Sequence, residues 1–219
     1  MICSICGCGE FVPGFQGRVT NGINPLCNSC KSAERHRIAF ALYSAVHPLF
    51  KSWRALQFAP DRCVMTDWFA EYVGSSYQGV NHLDMTDIAL PDGAFDIVIS
   101  NHVLEHVDDD MKAIREMLRV VGPKGIVSMM IPTPIMRWQT TDWGFADPKI
   151  NYHYRDYGAD FPQIVVDTIS DVRAVVAIGR DPVTGIFDLV YLFSKSDERL
   201  EQLAQIWRRT PVPLVRLFK

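Results

Sequence analysis

The chain has 219 residues, a formal net charge of −3, and 48% hydrophobic against 21% charged residues. That length suits one large domain, or one domain with a small module, and the mildly acidic balance gives no electrostatic reason to expect nucleic acid. No apolar run approaches a membrane span, and "MICSICGCGE" lacks the basic start and apolar core of a secretory leader, so a cytoplasmic protein is expected.

Six cysteines are present, five of them within the first thirty residues. Cys3 and Cys6 form one C-x2-C pair, and Cys27 and Cys30 form another. Two thiolates two residues apart can grip one side of a tetrahedral ion, so the spacing predicts a zinc-binding module over residues 1–31. Cys8 lies near enough to compete with Cys6. Cys63, far from the rest, reads as a packed core thiol. Between the knuckles, "FVPGFQGRVTNGINPL" reads as a loop or hairpin.

"SAERHRIAFALYSAVHPLF" then reads as a helix capped by Ser32, with Ile38, Leu42, Tyr43 and Val46 on one face. Its "ERHR" reads as a solvated first turn, with contact to an anionic ligand as the alternative. "RALQFA" is a strand, "RCVMTDWFA" a short helix, and "EYVGSS" and "GVNHLDM" two short extended pieces. "AFDIVIS" is a strand apolar throughout, the kind buried on both faces. "DDDMKAIREMLRVV" is an amphipathic helix with acids at its start and "GPKG" as its stop. "GIVSMMIP" is a strand, and "RAVVAIG" and "IFDLVYLFS" form a hairpin around "RDPVTG". Strands alternating with helices predict an α/β fold: a mostly parallel sheet with helices on both faces and a C-terminal antiparallel hairpin.

At "LPDGAFDIVISNHVLEHVDDD" the chain resembles the fourth-strand region of class I S-adenosylmethionine-dependent methyltransferases of the type 11 group. It is similar, more narrowly, to a bacterial subfamily that joins a four-cysteine module to "ERHR", a "hFAPE"-like first loop, "NHVLEHV" and an "H-x-R-x-Y-G" segment. Here those motifs are Cys3 to Cys30, residues 34–37, "FAPD" at 58–61, residues 101–107 and "HYRDYG" at 153–158. The resemblance implies a Rossmann-like methyltransferase domain over 32–195, followed by a C-terminal tail over 196–219, with S-adenosylmethionine and a structural zinc as cofactors.

Residue by residue, it implies a cofactor crevice formed by Phe58, Ala59, Pro60, Asp61, Ser76, Tyr77, Asp84, Met85 and Asn101. The loop Phe58–Asp61 has no glycine. The methionine end of the cofactor carries no pyrophosphate, so close backbone approach is less necessary there, and Ala59 is small. Asp61 is expected to cap a helix or receive the ligand's ammonium group. The family's ribose-binding acid falls on Ser76, a weaker acceptor than a carboxylate. Asp84 matches the position near the adenine amino group.

Methyl transfer needs positioning, and a base where the acceptor loses a proton. His102 and His106 are the candidate bases, and Arg155 the candidate holder of an anionic substrate group, with His153 and Tyr157 beside it in a lid segment. "MRWQTTDWGF" reads either as a pocket wall or as ordinary aromatic packing in a loop.

The expected activity is methyl transfer from S-adenosylmethionine to an unidentified small molecule or sugar intermediate. A degenerate methyltransferase fold acting as a binding or regulatory module is the alternative favoured by the missing glycines and acid. An RNA methyltransferase is a further alternative, against which the charge balance speaks. The basic, apolar tail "IWRRTPVPLVRLFK" is expected to fold back on its own domain; the alternatives are an anionic membrane surface, or a homodimer or partner-protein contact.

Overall fold

A computed structural model describes residues 1–79, 81–132, 134–210 and 215–218, without the side chains of 134 and 215–218. A two-stranded antiparallel ribbon, β1 (Phe11–Val12) and β2 (Leu26–Cys27), opens the chain and holds the cysteine knuckles. Helix α1 (Glu34–Val46) follows, then strands β3 (Arg54–Phe58), β4 (Glu71–Ser75) and β5 (Ile97–Asn101). After helix α2 (Asp110–Val121) come β6 (Ile126–Met130), the hairpin β7 (Thr141–Asp147) and β8 (His153–Asp156), and helix α3 (Phe161–Thr168). Strands β9 (Arg173–Arg180) and β10 (Phe187–Ser194), helix α4 (Asp197–Arg209) and β11 (Val215–Phe218) complete it.

The main sheet has seven strands in the order β11-β9-β10-β6-β5-β3-β4. The block β6-β5-β3-β4 is parallel, and β10 enters antiparallel between β6 and β9. Every residue of β5 is buried, as an uninterrupted apolar run predicts for a central strand covered on both faces. Its side chains alternate between the two layers. Val98 packs with α2 and α3, while Ile97 and Ile99 pack with α1 and α4. Helix α1 lies so close to β9 that a Cβ on Gly179 would fall 2.4 Å from Ile38 Cγ2. Trp207 of α4, fully buried, donates its indole N–H to the Leu42 carbonyl at 2.8 Å and so ties α4 to α1.

Several local expectations are corrected. Helix α1 starts after Ala33, whose N–H is taken by His36 Nδ1 at 3.0 Å, so Ser32 is no cap. "RCVMTDWFA" holds only a 3-10 turn at Thr66–Trp68, because Cys63 is fully buried and the Cys63 N–H turns to the Asp61 carboxylate at 2.9 Å. "GVNHLDM" forms no strand among its described residues; the Leu83 N–H instead bonds Ser75 Oγ at 3.0 Å. "MRWQTTDWGF" runs into a strand, β7, paired with β8. Within 196–219, Asp197–Arg209 is helical and Val215–Phe218 pairs with β9, while 211–214 and 219 lie outside the described residues.

The "ERHR" turn is solvated only in part: Arg35 is exposed, but Glu34 and Arg37 are buried. Glu34 is 3% exposed and receives a two-pronged contact from Arg18, Nη1 to Oε1 at 2.8 Å and Nη2 to Oε2 at 2.7 Å, plus the Thr20 hydroxyl at 2.7 Å. Arg37 is fully buried and grips Asp181 with Nε to Oδ1 at 2.7 Å and Nη2 to Oδ2 at 2.9 Å; its Nη1 donates to the Ser32 carbonyl at 2.9 Å. Asp181 is completed by the Thr184 N–H and hydroxyl, both at 2.8 Å. Removing one member of such a pair strands a buried charge, at a cost of about 3–5 kcal/mol. Arg37→Met and Asp181→Leu should each destabilise the chain by that order in denaturant unfolding. The double variant Arg37→Met/Asp181→Leu should lose less than the sum of the two, since neither charge is then left alone.

Candidate functional site

Strands β3, β4 and β5 end side by side at Phe58, Ser75 and Asn101, and strand order reverses here, with β4 and β5 on either side of β3. Ligands of open α/β sheets bind outside the carboxyl ends of the strands at such a reversal. Two of the residues that leave the strands are non-glycine residues in left-handed backbone conformation. Ala59 has φ 45° and donates its N–H to the Ser75 carbonyl at 2.8 Å; His102 has φ 54° and donates its N–H to the Met130 carbonyl at 2.9 Å. A left-handed conformation costs an L-residue about 1–2 kcal/mol. Two such turns at the mouth of one crevice mark a site whose backbone shape is held by the sheet beneath it. Pro60 folds over β4 at Gly74, where a Cβ would come within 2.7 Å of the proline Cγ.

A cavity of about 530 Å³ opens there, in the size range of small-molecule sites. Phe58, Ala59, Tyr77, Asp84, Met85 and His106 line it, faced by Val103, Val107, Asp108 and Tyr154 of β8. A larger cleft of about 700 Å³ lies beside Gly93 and Gly122, in the segments that precede β5 and β6. That is the wrong end of the strands, and its arginines are already committed: Arg119 holds Glu116 and Asp92.

Six expected residues stand away from this cavity. Pro60 faces Gly74. Asp61 caps no regular helix: its Oδ1 accepts from Gln57 Nε2 at 3.0 Å and from the Cys63 N–H at 2.9 Å, closing the turn on itself. Asn101, 6% exposed, directs Nδ2 to Cys63 Sγ at 3.0 Å. Ser76 is exposed outside the cavity; its neighbours Ser75 and Tyr77 are the lining residues, and Ser75 Oγ is occupied by Leu83. His102 is partly buried, and that burial together with the charge of Arg35 drives its pKa down to about 3, so it is neutral at physiological pH.

Arg155 is the sixth, and the correction here is to its role. It is 4% exposed, with Nε on Asp142 at 2.6 Å and its two terminal nitrogens on the carbonyls of Val107 and Asp108, both at 2.5 Å. Its guanidinium pins the β7–β8 hairpin over the segment after the 3-10 turn Leu104–His106, and it is not among the residues lining the cavity. Tyr157 supports the same joint by donating to Asp110 Oδ2 at 2.8 Å.

Glu105 carries more weight than its place in "LEH" suggested. It is 1% exposed, Oε2 has no hydrogen-bond partner among the described residues, and burial pushes its pKa up to about 7. Its Oε1 lies 3.8 Å from His102 Nδ1 and 3.9 Å from His106 Nε2. His153 meets His106 edge to face at 4.8 Å between ring centres. The i to i+3 spacing of His102 and Glu105 was a signal for part of this cluster; His153, nearly fifty residues on, was signalled only by the resemblance of "HYRDYG" to a family segment.

At the N-terminus, Cys3, Cys6, Cys27 and Cys30 bring their sulfurs within 4.8 Å of one another, with Cys3 to Cys30 at 3.7 Å and Cys6 to Cys27 at 3.5 Å. Four sulfurs about 2.3 Å from a central zinc would sit about 3.8 Å apart, so the set suits a tetrahedral ion. Cys8 turns away to Glu10, its sulfur 3.4 Å from that residue's N–H. Ser32 Oγ, fully buried, lies 3.1 Å from Cys30 Sγ and 3.4 Å from Cys3 Sγ.

Comparison with known proteins bears on the crevice. Residues 57–129 match the model of a methyltransferase domain. A 39-residue stretch is 57% identical to ajmaline N-methyltransferase of Rauvolfia serpentina, 18% of this chain and 13% of that one. Another of 66 residues is 33% identical to an uncharacterized methyltransferase of Mycobacterium bovis, covering 28% of this chain and 34% of the relative. The chain thus spans about a third or less of the length of these curated relatives. Among solved structures, the YcgJ protein of Bacillus subtilis superposes with a TM-score of 0.51 at 11% identity, over 72% of this chain and 98% of that one. The fold is that of the Rossmann-like methyltransferases.

If Arg155 is a strut, Arg155→Ala should raise amide hydrogen exchange across β7 and β8 while leaving β5 and β6 protected. Equal loss of protection in the central strands would show that it supports the whole fold instead.

Proposed function

We propose that the chain transfers a methyl group from S-adenosylmethionine to an acceptor that enters beside β8. The observation that carries this reading is the crevice at the carboxyl ends of β3, β4 and β5, inside the stretch that matches a methyltransferase domain. Phe58, Leu83 and Met85 offer apolar walls to an adenosyl group, and Asp84 a carboxylate to its amino group. One Asp84 oxygen is held by the Thr86 N–H and hydroxyl at 2.8 Å, which fixes the side chain and lowers its pKa. Bound cofactor would supply an electrophilic methyl group; the protein's part is to orient it, exclude water and accept a proton where the acceptor carries one. On the acceptor side stand Val103, His106, Val107 and Tyr154, and His106 is the imidazole that lines the cavity there, with His82 on the opposite, cofactor side.

A small-molecule acceptor, a sugar intermediate included, fits a cavity of this size and a chain of net charge −3. The four-cysteine cluster completes the reading as a structural zinc site: a closed set of thiolates has no open position for chemistry and contributes to folding. A binding module with this fold and no turnover is the second reading, favoured by one observation. The end of β4 presents Ser75, tied to Leu83, where a ribose would meet a carboxylate.

Calorimetry decides between them. S-adenosylmethionine should bind one per chain, and Asp84→Ala should weaken it by roughly tenfold, the worth of about one charged hydrogen bond. Absence of binding in a folded chain would leave the second reading. Elemental analysis should find zinc bound at one equivalent or more, and Cys27→Ser should both lose that zinc and lower the unfolding temperature. Cys8→Ser should do neither.

A further inference from the structure

Glu105, His106 and His153 place one ligand atom each within 4.8 Å of the others, and none belongs to the four-cysteine cluster. Their contacts do not resolve into ordinary hydrogen bonds. Glu105 Oε1 stands 3.9 Å from His106 Nε2, too far for one. Glu105 Oε2 and His153 Nδ1 are buried without a partner among the described residues. Such orphaned groups are uncommon, and each calls for a partner that the surrounding side chains do not supply. We propose that Glu105, His106 and His153 form a second metal site, for a divalent transition ion of the zinc, iron or cobalt class, with its open positions facing the crevice.

The distances suit an ion better than direct contact. Ligands about 2.0–2.2 Å from one metal stand about 3–3.6 Å apart, so groups that now lie within 4.8 Å of one another need to close by up to about 1–2 Å, a side-chain rotation. Two imidazoles and one carboxylate select transition metals over magnesium or calcium, which prefer all-oxygen sets. Three protein ligands leave positions for water or substrate. Those positions face the cavity, because His106 is both its lining residue and the most exposed of the three, at 42% of its side chain. The ligand class expected there is an acceptor with an oxygen donor, a hydroxyl or carboxylate.

The fold brings these groups together by two routes. Glu105 and His106 sit on the 3-10 turn after β5, and His153 arrives on β8, held down by Arg155 on the carbonyls of Val107 and Asp108. An ion would thus join the hairpin to the sheet at the rim of the crevice. This does not rest on the methyl-transfer reading; metal and S-adenosylmethionine are titrated separately, and either can fail alone.

The probe is cobalt(II), titrated into the purified chain with its cysteine site already filled with zinc. One equivalent should bind, with a visible spectrum of nitrogen and oxygen ligation and no thiolate charge transfer. Outer-shell changes alone weaken metal sites about ten- to a hundredfold, so loss of a direct ligand should weaken cobalt by about a hundredfold or more. Glu105→Gln and His153→Ala should each do so with cysteine-bound zinc unchanged, and His47→Ala, on the far end of α1, should not. Should Glu105→Gln fail to fold, His153→Ala alone carries the test, as His153 is only partly buried. No cobalt uptake, uptake with thiolate charge transfer only, or undiminished uptake by His153→Ala would overturn the proposal.

Discussion

The rest of the structure hangs on a buried charge pair, Arg37 with Asp181. Both are fully enclosed, and together they join the start of α1 to the turn after β9, 144 residues away. Arg37 holds the Ser32 carbonyl, which also accepts the Cys27 N–H at 3.0 Å, so the guanidinium reaches the backbone of the second cysteine knuckle. On the other side Asp181 organises the turn between β9 and β10 through Thr184, whose carbonyl in turn takes Asn21 Nδ2 at 3.0 Å. Phe11 of β1 lies against the guanidinium, 5.4 Å from its carbon. A geometry satisfied on all sides is the condition under which a buried ion pair holds a unique arrangement instead of merely costing solvation. Through it the cysteine module, α1 and the C-terminal hairpin share one joint, and α1 is seated against β9 tightly enough to require Gly179.

That joint also shows what the sequence could and could not disclose. The elements with local signals were legible. Strand β5 opens on three consecutive β-branched apolar residues, Ile97 to Ile99, α2 has Asp109 to cap it and Gly122 to stop it, and the paired knuckles announce themselves by spacing alone. "ERHR" misled because an arginine's partner can be any acid in the chain. Asp181 lies in what reads simply as a hairpin turn, and nothing local links the two. The same reason hid the role of Arg155, whose acceptors are mostly backbone carbonyls, groups that every residue carries. Short pieces such as "RCVMTDWFA" were misjudged because the buried Cys63, with Asn101, Gln57 and Asp61 around it, outweighs a weak helical preference. The hairpin β7–β8 escaped because its strands alternate irregularly and carry a register shift between Asp142 and Asp147.

At the crevice, backbone shape and side-chain chemistry come from different sources. Ala59 and His102 adopt conformations that glycine would accept freely, and both are held by a hydrogen bond to the neighbouring strand. The sheet therefore imposes on "FAPD" a turn usually bought with glycine. Glu34 and Arg37 are spent on structure, which leaves Arg35, exposed, as the member of "ERHR" whose charge bears on His102 and Glu105. Polar and apolar groups are interleaved around the cavity, with Asp84 and His82 on the β3–β4 side and His106 and Asp108 on the β8 side.

The Arg37–Asp181 pair has a consequence for how the protein is made. Its partners are 144 residues apart in sequence. During synthesis at about 5–20 residues per second, the arginine waits roughly 7–30 seconds for its aspartate to be polymerised, and longer for it to leave the ribosome. The cysteine knuckles emerge within the first thirty residues and need nothing downstream to meet one another. The nascent chain can therefore close its N-terminal loop early and meet α1 through Arg18 and Glu34, but its tie to the sheet waits for the turn after β9. Strands β3, β5 and β6 supply part of the cover of α1 before then, and the contact of Ile38 with Gly179 comes only with β9. The joint that fixes the first residues to the sheet therefore cannot close until the chain has been made as far as Asp181, and the tie of Trp207 to α1 must come later still.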